Sequence, residues 1–270
     1  MKGLGRPRHV LVLCLMLAVA MTGCSLFVSR KPPPEPPPAT GGVTRPGAAV
    51  GPSEGYSAYG NPEFYEVMGK RYRVLKSGHG FVERGIASWY GPDFHGKLTS
   101  TREVYDMYQM TGAHKLLPLP TWVKVTNLEN GRSVVLRVND RGPFKDNRVI
   151  DLSYAAALKL DVVTKGTAFV EVRAVDRPDD QPPGPTIRLA NNNEMFLQIG
   201  AFGQRDNAER LRVRVDGKLE EPIRIYEDRS GARPLFKVQV GPLTDVDHAD
   251  RAIAALAGVG ITQHHFVNGE

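Results

Sequence analysis

The residues best placed to do chemistry lie where a strand runs out. Val134, Leu136 and Val138 alternate with Val135, Arg137 and Asn139, the period of a β-strand. Gly142-Pro143 then stops it, because proline has no N–H for a ladder and glycine allows a sharp turn. Asn139 and Asp140 therefore stand at a rim, where a sheet can hold polar groups still while they face a groove. A carboxyl so placed can hold and deliver a proton. The same stretch is also ordinary turn chemistry, and composition alone does not separate the two readings. His95 and His114 could cluster with acidic residues, but no two-histidine helical spacing marks a metal site. No metal and no cofactor is implied.

The totals limit the remaining chemistry. The chain has 270 residues, enough for one large domain or two small ones, and a formal charge of +6. Lys2, Arg6 and Arg8 precede an apolar run from Val10 to Met21, the pattern of a signal-peptide core rather than a bilayer span. Removing those three charges from +6 leaves +3, too mild to argue for nucleic acid. The run ends in Met21-Thr22-Gly23-Cys24, which resembles a bacterial lipoprotein box with Met21 where leucine is usual. Cys24 would become the lipidated first residue and anchor the protein to a membrane. An ordinary signal peptide or a membrane anchor is the alternative. Cys14 is the only other cysteine, so the mature chain would have neither a disulfide nor a catalytic thiol. Ser25 stands where aspartate resembles an inner-membrane retention signal in Gram-negative lipoproteins, which points to the periplasmic face of the outer membrane.

Composition and periodicity divide the chain. We expect a signal peptide over 1–23, a Pro/Gly-rich tether over 24–55 and an aromatic lead-in over 56–81. A barrel should follow over 82–176, then a Pro/Asn-rich linker over 177–192 and a second domain over 193–270. The tether holds Pro32-Pro33-Pro34, Pro36-Pro37-Pro38 and Gly41-Gly42. In the barrel region strands are predicted at Gly85–Tyr90, Thr121–Leu128, Ser133–Asp140, Val149–Leu152 and Thr167–Val175. Asn130-Gly131 supplies a hairpin turn, and Ser153 caps a helix through Leu160. About six short strands and one helix suggest a small closed barrel. The last segment repeats itself: Leu197-Gln198-Ile199-Gly200-Ala201-Phe202 recurs as Val238-Gln239-Val240-Gly241-Pro242-Leu243, each followed by a helical pattern. With strands at Pro222–Glu227 and Ile261–Val267, the order β-α-β-β-α-β is that of a ferredoxin-like split βαβ domain.

The motifs Gly85-Ile86-Ala87-Ser88-Trp89-Tyr90-Gly91, Phe94-His95-Gly96, Ala113-His114-Lys115, Val123 to Leu128, Asn130-Gly131-Arg132, Val138 to Phe144 and Ile150-Asp151-Leu152-Ser153 run through the barrel region in order. Together they resemble the rare lipoprotein A family, septal-ring endolytic peptidoglycan transglycosylases. The resemblance implies a six-stranded double-psi β-barrel and a lytic transglycosylase acting on peptide-free glycan strands. The Gln-Val-Gly repeat resembles the sporulation-related (SPOR) domain, which binds denuded peptidoglycan at division sites. Any ferredoxin-like module binding an effector or a protein is the alternative.

Family position then suggests roles. Asp140 would be the acid. Glu103 would be a second carboxylate, although Thr101-Arg102 precedes it where the family usually has Asn-Gly. His114 would orient a carboxylate or bind substrate. Asn139, Trp89 and Tyr90 would line the groove, and Gln198, Phe202 and Gln239 would contact glycan. Partners would be glycan strands and septal division proteins, not nucleic acid. A non-catalytic wall-binding or wall-loosening septal lipoprotein is the alternative function, and a purely structural division protein a third.

Overall fold

The computed structural model describes residues 55–145, 147–175 and 194–269. The expected signal peptide, Cys24, most of the tether and the 177–192 linker lie outside them.

Two short strands come first, β1 (Phe64–Val67) and β2 (Lys70–Arg73), paired antiparallel across Met68-Gly69. Both turn residues have positive φ, the geometry of a two-residue hairpin turn. Six strands then close into a barrel: β3 (Val82–Trp89), β4 (Thr111–His114), β5 (Thr121–Asn127), β6 (Ser133–Asp140), β7 (Arg148–Leu152) and β8 (Thr167–Ala174). Their order around it is β3-β7-β4-β6-β5-β8. The pairs β3–β7 and β4–β6 are parallel and the other four antiparallel. Closure leaves no unpaired edge.

The alternation seen in sequence decides what fills the barrel. Val134, Leu136 and Val138 from β6 meet Val123 and Val125 from β5, with Ile150, Leu152, Val170 and Val172 from the other walls. Helix α1 (Tyr154–Leu160) adds Ala156, Ala157 and Leu160 to this core. Ser153 Oγ accepts from Ala156 N–H at its start, and Asp161 ends it in the left-handed conformation. Strand β4 was not predicted. It reads Thr-Gly-Ala-His, with too little apolar alternation to register, and exists because its neighbours accept it. Glycine suits its second position, since a Cβ at Gly112 would stand 2.8 Å from the Asp151 carbonyl.

The C-terminal domain contains β9 (Met195–Phe202), α2 (Arg205–Val215), β10 (Ile223–Asp228), β11 (Leu235–Leu243), α3 (Val246–Gly258) and β12 (His265–Asn268). The sheet order β10-β11-β9-β12 is the expected split βαβ arrangement. Leu197, Ile199, Val238 and Val240 face Ala208, Ala249, Ile253 and Leu256 from the helices. The last strand is shorter than expected: it starts at His265, and Ile261 instead docks into this core.

The two domains touch. The buried Arg148 guanidinium grips both oxygens of Asp250 on α3, at 3.2 and 3.0 Å. Phe169 of β8 meets Phe266 of β12 edge to face.

Candidate functional site

Strand β6 delivers Asp140 to the rim, as its pattern predicts. Three donors converge on one carboxylate oxygen. Oδ1 accepts from Ser100 N–H at 2.8 Å, Ser100 Oγ at 2.6 Å and Arg141 N–H at 2.7 Å. All three are uncharged donors. The sequence neighbour Arg141 turns its guanidinium away into the loops, where it donates to Gly60 O, His114 O, Lys115 O, Leu117 O and Asn61 Oδ1. A cation one residue from Asp140 is thus used as a brace. Asp140 opens into a groove of about 430 Å³ lined by Gly60, Pro62, Tyr65, Val67, Ser100, Arg141 and Phe144.

Behind Asp140 the site is buried. Tyr90 lies beside it, in ring contact with Tyr105 at 4.8 Å. Neither hydroxyl has a well-formed hydrogen bond. Burial, followed by the Asp140 charge, pushes the Tyr90 phenol well above its ordinary pKa, so it keeps its proton. Sequence reasoning missed Asp151. Ala113 of β4 pairs with Asp140 on one side and Asp151 on the other, so both carboxylates flank one residue. Burial raises the Asp151 pKa, opposed by a bond from Ser88 Oγ and the charges of Lys115 and Arg148, while Asp140 raises it further. The signal was present in Val149-Ile150-Asp151-Leu152, a carboxylate inside an apolar strand.

Glu103 stands on the same loop as Ser100. Arg137 grips both its oxygens at 2.7 and 2.9 Å, and Asn139 Nδ2 donates at 2.7 Å. Burial opposes its charge, but these bonds outweigh burial and hold the carboxyl below the usual glutamate range. The altered turn before it survives. Arg102 adopts φ 66°, the left-handed conformation natural to glycine, at a cost of about 1–2 kcal/mol for an L-residue. Its guanidinium lies 3.7 Å over the Tyr59 ring, a contact that offsets part of that cost. Thr99 Oγ1 accepts from Glu103 N–H, and Thr101 Oγ1 donates to the Asn139 carbonyl. The first bond closes the loop on itself and the second ties it to β6.

His114 is buried and its ring is used locally. Nδ1 accepts from Leu116 N–H and Leu117 N–H, so the proton sits on Nε2, which donates to Glu83 at 2.9 Å. It orients a carboxylate, but that of Glu83. Its second effect is to shape the turn whose carbonyls receive Arg141. Trp89 packs against Tyr154 at 5.7 Å and contributes to the core, not to the groove lining. Among the described residues no group of three His, Cys, Asp or Glu side chains could hold a metal ion.

In the C-terminal domain Gln198 and Gln239 are cross-strand partners and nearly buried. Arg224 donates to Gln239, and His265 pairs with Gln198, so Arg224, Gln239, Gln198 and His265 form one row across all four strands. Phe196, on the same face by alternation, lies 3.6 Å beneath the Arg224 guanidinium. Phe202 does not join this row; it packs against the domain core.

Comparison with known proteins agrees with this division. Residues 82–177 match the family model described as lytic transglycolase, and residues 191–267 match the SPOR domain. The endolytic peptidoglycan transglycosylase RlpA of Vibrio cholerae serotype O1 is 44% identical over 208 residues, covering 77% of this chain and 76% of that protein. Its counterpart from Neisseria meningitidis serogroup A is 40% identical over 199 residues, covering 72% and 80%. The crystal structure of the RlpA SPOR domain from Pseudomonas aeruginosa is 27% identical, with a TM-score of 0.27, and covers 28% of this chain and 99% of that one. A barrel matching the lytic transglycolase model, a SPOR domain after it, and relatives at this identity over 76% and 80% of their own length place the chain in the RlpA family of endolytic peptidoglycan transglycosylases.

Proposed function

We propose that the protein is a lytic transglycosylase that cuts peptide-free peptidoglycan strands between muramic acid and glucosamine, leaving 1,6-anhydro ends. The observation that carries this reading is the Asp140 carboxyl at the mouth of a groove, with three donors on Oδ1. Oδ2 is the oxygen left to carry a proton. Asp140 gives that proton to the glycosidic oxygen as the C1–O bond breaks. The muramic acid's own C6 hydroxyl closes on C1 and returns its proton to Asp140, so no water is consumed. Positive charge builds on the sugar ring meanwhile. Glu103, held ionised by Arg137 and Asn139, is the local anion available to stabilise it. The neutral Tyr90 hydroxyl borders Asp140 without adding charge.

The polar row of the C-terminal sheet supports a glycan-holding role, with the amides of Gln198 and Gln239 as the groups that read hydroxyls. Lipid on Cys24, an outer-membrane location on the periplasmic side, and work at the septum during daughter-cell separation belong to the same proposal. So do septal division proteins as partners. One observation favours the non-catalytic reading: the clamp on Glu103 is the kind that also stabilises purely structural carboxylates, as Glu171 shows between Arg84 and Arg173. The experiment is to incubate the purified protein with peptide-free strands and analyse the products by mass. Anhydromuramoyl ends are expected from the wild type. Their absence, with sacculus binding intact, would replace the enzyme with a wall-binding protein.

A further inference from the structure

The segment before the barrel lies outside the 82–177 family match, yet it builds half of the groove that Asp140 faces. Its attachment is extensive. Asn61 closes a reciprocal pair with Leu119, Nδ2 to the carbonyl and Oδ1 from the amide, both at 2.7 Å. Ser57 N–H donates to Leu119 O at 2.8 Å, and Leu75 N–H to Leu116 O at 2.7 Å. Tyr65 Oη donates to Lys115 O at 2.8 Å, and Arg141 binds Gly60 O and Asn61 Oδ1. The segment is thus fixed at both ends and in the middle. Gly60 approaches the Ser100 loop so closely that a Cβ there would stand 3.0 Å from the Ser100 carbonyl.

Strand alternation then sorts the hairpin's side chains. Phe64 and Glu66 are exposed on the outer face, with Arg71 stacked on Phe64 at 4.1 Å. Tyr65 and Val67 point the other way, into the groove. Tyr65 stacks on Tyr72 at 5.1 Å, and Phe144, from the loop after Asp140, packs against both. An apolar wall of Pro62, Tyr65, Val67 and Phe144 therefore meets polar groups from Ser100 and Asp140 across one opening. A mainly apolar lining with a few convergent polar groups is the composition of a small-molecule site, and about 430 Å³ falls in the usual size range. A strut that only braced the barrel would need the anchors but not this wall.

We propose that the β1–β2 hairpin is one wall of a sugar subsite, holding by its apolar face the pyranose ring next to the bond that Asp140 cleaves. The proposal rests on the transglycosylase reading, which supplies the occupant: a strand cut at Asp140 must continue into the space beside it. The sugar's hydroxyls then turn towards Ser100 and Asp140, and its flat C–H face towards Tyr65, Val67 and Phe144.

The test uses the full chain and peptide-free hexasaccharides of alternating glucosamine and muramic acid. Val67→Asp places charge in the wall, and Val67→Trp fills the groove with apolar bulk. Each is expected to lower kcat/KM at least tenfold and to move the position of the cut, with an unchanged unfolding midpoint. Glu66→Ala, on the outer face, should match the wild type. In the Asp140→Asn chain, the bound hexasaccharide should protect Pro62, Tyr65 and Val67 from hydroxyl-radical oxidation. That last measurement needs no substitution in the wall itself. If the wild type cuts but the Val67 variants cut equally well at the same bond, or the wall stays unprotected, the subsite is refuted and the enzyme reading stands. If the wild type releases no anhydro product, the enzyme reading falls and takes the subsite with it.

Discussion

The rim around Asp140 and the helix-free face of the C-terminal sheet both present polar groups on strands, but they are built differently. At the rim, uncharged donors crowd one carboxylate oxygen, two tyrosine hydroxyls are buried without good partners, and Arg102 sits at φ 66° nearby. Across the C-terminal sheet the row Arg224, Gln239, Gln198 and His265 takes one paired residue from each strand, with a register shift beside Gln239. The rim gathers its donors on one atom from a loop and a strand end, whereas the row spreads one polar side chain over each strand. A surface that only holds a ligand needs repetition, which a sheet provides through its own pairing.

The contrast can be broken most directly at Asp140. Asp140→Asn keeps the shape and cannot deliver a carboxylic proton, so release of anhydro ends should fall at least ~10²-fold. Binding to amidase-treated sacculi should persist, because a separate domain supplies it. Loss of both would mean that cutting and holding are not divided between the two regions. Glu103→Gln leaves Arg137 without its anion and weakens charge stabilisation; a drop of about tenfold in turnover, or about 1.4 kcal/mol, is expected. His114→Ala should fall in the same range through the turn it shapes, with circular dichroism unchanged.

Replacing Gln198 and Gln239 together by alanine reverses the pattern. Sacculus affinity should drop roughly tenfold, the equivalent of one or two lost hydrogen bonds, while release from soluble strands is unchanged. A fragment of residues 191–270 should fold and show the same preference for peptide-free sacculi. Equal binding to peptide-substituted sacculi would count against recognition of naked glycan.

The smallest effect concerns Asp151. Its pKa is raised in the folded protein, so the native state binds the proton more tightly than the unfolded chain does. The contribution of Asp151 to stability therefore falls as pH rises from the ordinary carboxylate range through the raised value. Asp151→Asn does not titrate, and its melting temperature should gain on the wild type as pH rises above the ordinary carboxylate range. A constant difference over that rise would show that Asp151 is not perturbed.

The sequence made some of this plain and hid the rest for identifiable reasons. Alternation in β5 and β6 and the Ser153 cap are local signals, so those elements were legible. The Asp140 rim was legible too, because Gly142-Pro143 follows the alternating run directly and β6 ends at Asp140, although the same Gly-Pro pair at Gly241-Pro242 lies within β11. Strand β4 was not, since four residues with one alanine and one glycine carry no period. The Arg137–Glu103 clamp joins residues on different elements, and nothing in either neighbourhood announces it. His114 matched a family position, yet the partner of its ring, Glu83, depends on how β3 passes β4. The lead-in showed its aromatics without showing that Tyr65 and Val67 turn inward, because a four-residue strand is too short to read by pattern.

The Arg148–Asp250 contact between the domains has a consequence for how the chain can change over generations. A guanidinium buried at that boundary cannot lose its carboxylate without being left charged and unpaired. Either position is therefore hard to alter alone, while both can change together. Among descendants the two sites should vary as a pair, linking the inheritance of two domains that are otherwise free to drift apart.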